Sequence, residues 1–152
     1  MKDADWNITR LEDLKKVARN ILDRCAAARD RGATTLALHG ELGAGKTAFV
    51  QELGKLLGVK ETITSPTFVI MKRYQTARNS FKNLVHIDAY RLESVDEMRV
   101  LGFKPLLKEK DTIICIEWAE KLEELLPKNA LHLHFTLHKT ERSLKFKHNA
   151  QN

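Results

Sequence analysis

Apolar residues recur at two spacings along this chain, and each spacing predicts one kind of secondary structure. Between residues 11 and 25 they fall three or four positions apart, which is typical of a helix with one apolar face. A second helical pattern covers residues 46–57. Strands are predicted where short runs are apolar throughout or alternate with polar residues, namely 34–39, 68–74, 84–88, 112–117 and a final hairpin of 131–138 with 144–146.

Polar residues with helix-capping chemistry mark where several predicted helices begin. Thr9 with Glu12, and Ser94 with Glu97, have the spacing of a capping box. Helices are therefore predicted to follow Thr9 and Ser94. A further helix is predicted over residues 118–126, before a proline that would end it.

The order of these elements favours an α/β fold. A strand, a glycine-rich turn and a helix follow one another over residues 34–57, which is the opening of an α/β unit. The almost unbroken apolar run 112–117 is typical of a strand covered on both faces. We expect a single domain over residues 1–152, with about 1–8 and 149–152 frayed.

Composition and charge narrow the class of protein without identifying a function. The 152 residues include 26 lysines and arginines against 20 aspartates and glutamates. The net charge of +6 is interpreted as a solvated lysine-rich surface, with contact to a nucleic acid or an acidic protein as the alternative. No apolar stretch approaches the roughly 20 residues that span a bilayer, and the acidic start Met1–Asp5 is unlike a signal peptide. We therefore expect a cytoplasmic protein with no membrane partner. Cys25 and Cys115 lack metal-binding spacing and are interpreted as buried apolar residues.

The segment Gly40–Thr47 has the strongest chemical signal in the sequence. Its residues, GELGAGKT, match the phosphate-binding pattern GxxxxGK[ST] between a predicted strand and a predicted helix. Its glycines let backbone N–H groups turn toward phosphate oxygens, and the start of the following helix adds a positive end. Lys46 is expected to contact the β- and γ-phosphates, and the Thr47 hydroxyl is expected to bind Mg²⁺. The predicted nucleotide-binding residues are Glu41, Leu42, Gly43, Ala44, Gly45, Lys46, Thr47 and Trp118.

Two carboxylates are candidates for metal and water chemistry beside this turn. Asp88 and Glu117 each end a predicted strand, and ligands of open parallel sheets bind at the carboxyl ends of strands. Each carboxylate is expected to hold Mg²⁺, directly or through water, or to align an attacking water. With Lys46 they are the predicted catalytic residues, and with Thr47 they are the predicted metal ligands. The spacing does not decide which of the two contacts the metal, and a helix cap or a surface carboxylate fits the same positions.

Hydroxyl side chains between the turn's helix and the next predicted strand form a switch-like loop. Thr64, Ser65 and Thr67 surround a proline there. Such hydroxyls can respond to a γ-phosphate as switch loops do, although a plain turn fits the same pattern. Trp118 directly follows Glu117, where it either belongs to the core or packs over the nucleotide.

Three histidines alternate with apolar residues near the end of the chain. They are His132, His134 and His138 on the predicted strand 131–138. Histidines can bind zinc, but the sequence indicates no third-ligand geometry. We therefore expect a solvated strand face.

Absent motifs narrow the class of nucleotide-binding protein. The sequence holds no Asn/Thr-Lys-x-Asp element, which GTPases use to read guanine, and no Leu-Ser-Gly-Gly signature of transporter ATPases. A small-molecule kinase needs a substrate lid rich in arginine, and no such cluster is evident. A kinase, and a nucleotide-gated adaptor with incidental hydrolysis, stay open as alternatives to an ATPase.

Five motifs in this order resemble those of the TsaE (YjeE) family of small bacterial P-loop ATPases. They are Gly40–Thr47, Ser65–Phe68, His86–Leu92, Leu101–Phe103 and Ile116–Trp118. The resemblance runs from about residue 10 to residue 147. It implies a P-loop NTPase-like three-layer α/β fold with a mainly parallel central sheet, helices on both faces and a C-terminal hairpin.

The same resemblance implies a function and assigns roles to residues. The family binds and slowly hydrolyses ATP with Mg²⁺ and is required for the threonylcarbamoyl modification of the tRNA adenosine beside the anticodon. It acts beside the TsaB and TsaD proteins as a regulator or reset factor, so contact with tRNA is expected to be indirect or weak. By the match, Lys46 and Thr47 have the phosphate and metal roles, and Asp88 and Glu117 are the acidic pair for metal and water. Ser65 and Thr67 belong to the switch-like loop, and Trp118 lies near the nucleotide.

Overall fold

The computed structural model describes residues 1–77 and 80–148, which form a seven-stranded sheet flanked by helices. The strands are β1 (Ala4–Ile8), β2 (Thr34–His39), β3 (Met71–Gln75), β4 (Asn83–Asp88), β5 (Thr112–Glu117), β6 (Leu131–His138) and β7 (Glu141–His148). The α-helices are α1 (Leu11–Ala27), α2 (Lys46–Leu56), α3 (Val95–Val100) and α4 (Phe103–Leu106), and a 3₁₀ helix covers Ala119–Leu125.

The sheet is parallel at its centre and antiparallel at both edges. Its strand order is β1-β7-β6-β2-β5-β4-β3, and the pairs β6–β2, β2–β5 and β5–β4 are parallel. The β6–β7 hairpin and the edge strands β1 and β3 pair in antiparallel fashion. The predicted α/β class, parallel centre and C-terminal hairpin are therefore confirmed.

Two apolar layers cover the two faces of the sheet, as predicted. α1 and α2 pack on one face, where Ile21, Phe49 and Leu36 are buried. α3, α4 and the 3₁₀ helix pack on the other face, around Ala37 and Ile114. Because β2, β5 and β4 are parallel neighbours, their carboxyl ends meet at one edge of the sheet.

The structure also tests what the sequence predicted about the two cysteines and about membrane-spanning helices. Cys25 and Cys115 are both buried, as predicted, and burial raises the pKa of the Cys25 thiol to about 12. Among the helices of residues 1–77 and 80–148, none combines the length and the apolar character that a bilayer crossing requires.

The N-terminal segment forms a strand where the sequence predicted fraying. Ala4–Ile8 make up β1, which pairs with β7 along its whole length. The prediction for residues 4–8 is wrong because Ala4, Trp6 and Ile8 alternate with polar residues, which is itself a strand pattern. The other segment predicted to fray, 149–152, lies outside the described residues.

The start of α1 is capped one position later than predicted. α1 follows Arg10, and the Asp13 carboxylate accepts hydrogen bonds from the Thr9 N–H (3.1 Å), the Arg10 N–H (2.9 Å) and the Thr9 hydroxyl (2.9 Å). Glu12, which was predicted for this role, forms an exposed ion pair within the helix instead. α3 does follow Ser94, but its side chain makes no capping hydrogen bond.

Asp13→Ala is expected to lower the melting temperature more than Glu12→Ala, because only Asp13 satisfies N–H groups at the start of α1. The Thr9 hydroxyl, followed by the backbone N–H groups, lowers the pKa of Asp13 below its ordinary value of 3.8. The stabilisation is therefore complete above pH 3.8 and is lost as pH falls through the lowered pKa of the folded state. In thermal melts the two variants should differ in melting temperature at neutral pH and should have nearly the same melting temperature in strong acid. Equal melts at neutral pH would contradict this assignment.

Two other segments differ from the sequence prediction. Strand β3 begins at Met71 and not at Phe68, because Ile70 adopts a left-handed φ of 65° and donates its N–H to the Pro66 carbonyl at 2.7 Å. Phe68 is 86% exposed in that turn, so its apolar character does not mark a strand. The helix predicted over 118–126 is a 3₁₀ helix.

Candidate functional site

A cavity of about 700 Å³ opens at the carboxyl edge of the parallel strands. Its walls come from the turn between β2 and α2, from the ends of β4 and β5, and from the segment that joins β1 to α1. The lining residues are Ile8–Leu11, Leu14, Leu42–Ala48, Ser65, Thr67, Asp88, Tyr90, Glu117, Trp118, Phe135 and Arg142. Side chains that are far apart in the sequence therefore share one space.

Glycines at both ends give the turn between β2 and α2 its shape. Gly40 has a φ of 143°, and a Cβ there would lie 2.5 Å from the Phe135 carbonyl oxygen. Gly45 has a φ of 110° and is the N-cap of α2. Only glycine adopts such backbone conformations readily. The turn thereby brings the start of α2, whose positive dipole end favours anions, to the cavity.

Lys46 lies against this turn and is only 4% exposed. Its Nζ donates hydrogen bonds to the carbonyl oxygens of Gly40 and, at 2.9 Å, of Glu41. The same Nζ lies 4.3 Å from the centre of the Trp118 ring. Burial lowers the pKa of Lys46, and nearby carboxylates, Glu117 foremost, oppose that shift. The ammonium group therefore lies near both the start of α2 and the carboxylates at the ends of β4 and β5.

Glu117 connects the start of α2 to the end of β4. Thr47 donates a hydrogen bond from Oγ1 to Glu117 Oε1 at 2.7 Å. The same carboxylate oxygen lies 2.8 Å from Nε2 of His86, which is fully buried. Asp88 is the parallel-register neighbour of Glu117, so the two predicted acids lie side by side at the sheet edge.

Asp88 connects the switch-like loop to the cavity. Its Oδ2 accepts hydrogen bonds from Ser65 Oγ at 2.9 Å and from Thr67 Oγ1 at 3.3 Å. Its Oδ1 accepts a hydrogen bond from the Tyr90 N–H at 2.9 Å. Thr64 is exposed and lies outside the cavity lining. Two of the three predicted loop hydroxyls therefore reach the cavity, and Thr64 does not.

The oxygen atoms gathered here have the chemistry that Mg²⁺ requires. Asp88 and Glu117 are both buried, and a buried charge is unfavourable unless hydrogen bonds or a counter-charge compensate it. Mg²⁺ takes carboxylate and hydroxyl oxygens, usually together with water and phosphate oxygens. The Thr47 hydroxyl is next to Glu117, whereas the loop hydroxyls are next to Asp88. The predicted ligand set therefore fits the metal.

Several residues of the cavity were not identified from the sequence. The Tyr90 ring lies 5.0 Å from the Trp118 ring, and Arg10 and Arg142 both line the cavity. Arg142 donates from Nε to the Gly43 carbonyl at 3.4 Å. The alternation within residues 4–8 was an available signal for the wall that holds Arg10. The Arg142 contact depends on where the β6–β7 hairpin lies relative to the turn between β2 and α2, and no local pattern indicates that placement.

Comparison with protein families and named relatives gives a consistent result. A family model described as threonylcarbamoyl adenosine biosynthesis protein TsaE matches residues 8–145. The relatives with the name tRNA threonylcarbamoyladenosine biosynthesis protein TsaE include the following three. The Bacillus subtilis protein is 34% identical over 133 residues, which is 88% of this chain and 77% of that protein. The Streptomyces coelicolor protein is 45% identical over 97 residues, 62% and 64% of the two chains, and the Aquifex aeolicus protein is 36% identical over 112 residues, 72% of each.

A solved structure shares the fold. The crystal structure of YdiB from Bacillus subtilis matches with a TM-score of 0.66 and 29% sequence identity, and the match covers 97% of this chain and 86% of that chain. The family match spans the elements that build the cavity, from the end of β1 into β7. This chain therefore belongs to the TsaE family.

Proposed function

We propose that this chain is a Mg²⁺-dependent ATPase that supports formation of threonylcarbamoyladenosine on tRNA. The observation that carries the proposal is the meeting of Lys46, Asp88 and Glu117 around one cavity at the start of α2. A glycine-shaped turn before a helix suits phosphates, and paired carboxylates suit Mg²⁺ and water. Membership in the TsaE family and the names of its relatives support tRNA modification as the process served.

Triphosphate binding is assigned to the turn and the first residues of α2. Backbone N–H groups of residues 41–47 are the donors, and the Lys46 ammonium offsets phosphate charge. Lys46 lies beneath the Trp118 ring, and Tyr90 packs against that ring. The Trp118 ring shields one side of the ammonium from water, which strengthens its attraction for an anion.

Metal binding is assigned to Thr47 and Glu117. When bound, Mg²⁺ neutralises phosphate charge and orients the γ-phosphoryl group. His86 holds Glu117 through the contact of 2.8 Å, so the carboxylate is fixed before ligands arrive. A carboxylate that is already fixed needs little reorganisation when ligands bind. This favours the geometry required for transfer of the γ-phosphoryl group.

Water alignment and loop response are assigned to Asp88. Its carboxylate accepts hydrogen bonds from both Ser65 and Thr67. A γ-phosphate at this edge would compete for the same hydroxyls, so nucleotide binding and loop conformation become linked.

Partner regulation belongs to the same proposal. We assign TsaB and TsaD as the partners whose work the ATPase regulates or resets, in the cytoplasm and with indirect or weak contact to tRNA. Leu42, which lines the cavity, and Phe68 and Val69, which follow the lining residue Thr67, are apolar and exposed. These exposed side chains support a protein partner that covers the mouth of the cavity. Such a partner could also supply a charged group that completes the site.

Phosphate release from ATP tests the proposal. The purified chain with ATP and Mg²⁺ is expected to release phosphate slowly, and TsaB with TsaD is expected to change the rate. Formation of ADP that requires a small-molecule acceptor, with the phosphoryl group recovered on that acceptor and not as free phosphate, would instead identify a kinase. Nucleotide binding with no release, with or without the two partners, would identify an adaptor and overturn the ATPase assignment.

ATP with Mg²⁺ is expected to slow hydrogen exchange in residues 63–70 by about tenfold or more, because bound phosphate would order the loop that Asp88 holds. Mass spectrometry of exchanged peptides measures the change, with α3 as an internal control on the far layer. Asp88→Asn should speed exchange of this loop in the nucleotide-free chain, since the Ser65 and Thr67 hydroxyls lose their charged acceptor. Identical exchange with and without nucleotide in the wild-type chain would contradict the switch role.

A further inference from the structure

Three histidines that the proposed ATPase does not use lie together on two neighbouring strands. His39 ends β2, and His132 and His134 lie on β6. One ligand nitrogen from each lies within 4.8 Å of the other two. The separation between His39 Nε2 and His132 Nδ1 is 2.9 Å. The sequence predicted no third ligand here, and the sheet supplies one.

Strand register explains why these side chains converge. His39 pairs with His134 in the parallel β2–β6 ladder, and Ala37 pairs with His132. Side chains two residues apart on a strand point to the same face, and Leu133, between the two histidines, is buried in the opposite layer. The His39 ring stacks 5.1 Å from the His132 ring and 4.5 Å from the His134 ring.

A carboxylate lies behind His39 on the side away from His132. Glu120, on the 3₁₀ helix, has its Oε2 3.3 Å from His39 Nδ1. An Nδ1–H that donates to this carboxylate leaves the lone pair on His39 Nε2, which faces His132. Histidines that bind metals commonly donate their second ring N–H to a carboxylate, which fixes the tautomer and raises the basicity of the ligand nitrogen. Glu120 is therefore an orienting residue.

The cluster is partly shielded from water. The His39 side chain is 17% exposed, and His132 and His134 are half-buried. Burial, helped by the neighbouring His39, lowers the pKa of His132 and lowers the pKa of His134 to about 4.

We propose that His39, His132 and His134 form a binding site for one borderline transition-metal ion of the Zn²⁺ class. Three imidazole nitrogens satisfy most of a tetrahedral zinc shell and leave a fourth position for water. The donors are nitrogen atoms, so the site is distinct from the oxygen donors that suit Mg²⁺. Because His39 directly precedes Gly40, a metal here would fix the end of β2 at the point where the phosphate-binding turn begins.

Zinc titration of the tag-free, chelator-stripped chain in excess Mg²⁺ tests the proposal. Competition with a chromophoric chelator should reveal one zinc equivalent, because Mg²⁺ occupies oxygen sites and leaves the imidazoles available. His132→Gln and His134→Gln are each expected to weaken binding by about tenfold or more, and Glu120→Gln by about tenfold through loss of orientation. His138→Gln, on the same strand but outside the cluster, is the matched control and should bind zinc like the wild type.

A second measurement uses the unaltered chain and does not depend on variants folding. Zinc should shift the imidazole NMR signals of His39, His132 and His134 and leave those of His138 unchanged. No zinc binding in the wild type would overturn the site and leave a stacked histidine cluster. Equal binding in all variants, or equal loss in the His138 control, would also overturn it, because the zinc would then lie elsewhere.

Discussion

Lys46→Met is expected to reduce ATP turnover by about 100-fold or more, the range found when a main electrostatic contact to a transition state is removed. The Lys46 Nζ is held among the Gly40 and Glu41 carbonyls and the Trp118 ring, and the methionine side chain keeps the bulk without the charge. The fold is expected to survive, because burial already disfavours the charged form of Lys46. Phosphate release and a thermal melt measure the two effects separately.

Lys55→Met is the matched control for this experiment. Lys55 lies on the same helix, α2, but its side chain is exposed and pairs with Glu52 at 2.8 Å. Turnover in this control should stay near the wild-type rate. A Lys46→Met chain that hydrolyses ATP as fast as the wild type would refute the phosphate role of Lys46.

Glu117→Gln is expected to lower turnover by about tenfold or more and to raise the Mg²⁺ concentration needed for half-maximal rate. Glutamine keeps an oxygen for the Thr47 hydroxyl and for His86, so the local packing is retained while the negative charge is lost. A magnesium titration of phosphate release separates a metal defect, which excess Mg²⁺ partly rescues, from a fold defect, which it does not.

Glu124→Gln provides the comparison for Glu117. Glu124 is exposed on the 3₁₀ helix that follows Glu117, so its charge can be removed without changing the cavity. The magnesium dependence should be unchanged there. Wild-type rate and unchanged magnesium dependence in Glu117→Gln would remove Glu117 from the metal site and leave Asp88 as the remaining strand-end candidate.

The central strands and the phosphate-binding turn could be predicted closely from the sequence. The predicted strands 34–39 and 112–117 have the same bounds as β2 and β5. Buried parallel strands require continuous apolar runs, and their polar ends stand out against those runs. This is why Asp88 and Glu117 were identifiable, since each is the first acidic residue after an apolar core segment.

The edges of the sheet and the contacts across it were harder to predict. Phe68 belongs to an apolar run but lies exposed in a turn, because the Ile70 carbonyl accepts the Asp88 N–H at 2.9 Å and the backbone must bend to reach it. Strand β1 forms only because β7, at the other end of the described chain, provides its partner. His39 lies beside His132 because β2 pairs with β6 in the sheet. No pattern in a single sequence indicates that order of strands.

The position of Trp118 gives the molecule a built-in optical reporter. Its indole lies over the Lys46 ammonium and against Tyr90, and indole emission responds to nearby charge. The second tryptophan, Trp6, is on β1 with the Arg24 guanidinium 5.9 Å from its ring centre. In a chain with Trp6→Phe the tryptophan emission would come from the cavity alone, so the arrival and departure of an anionic ligand could be followed in real time without a dye.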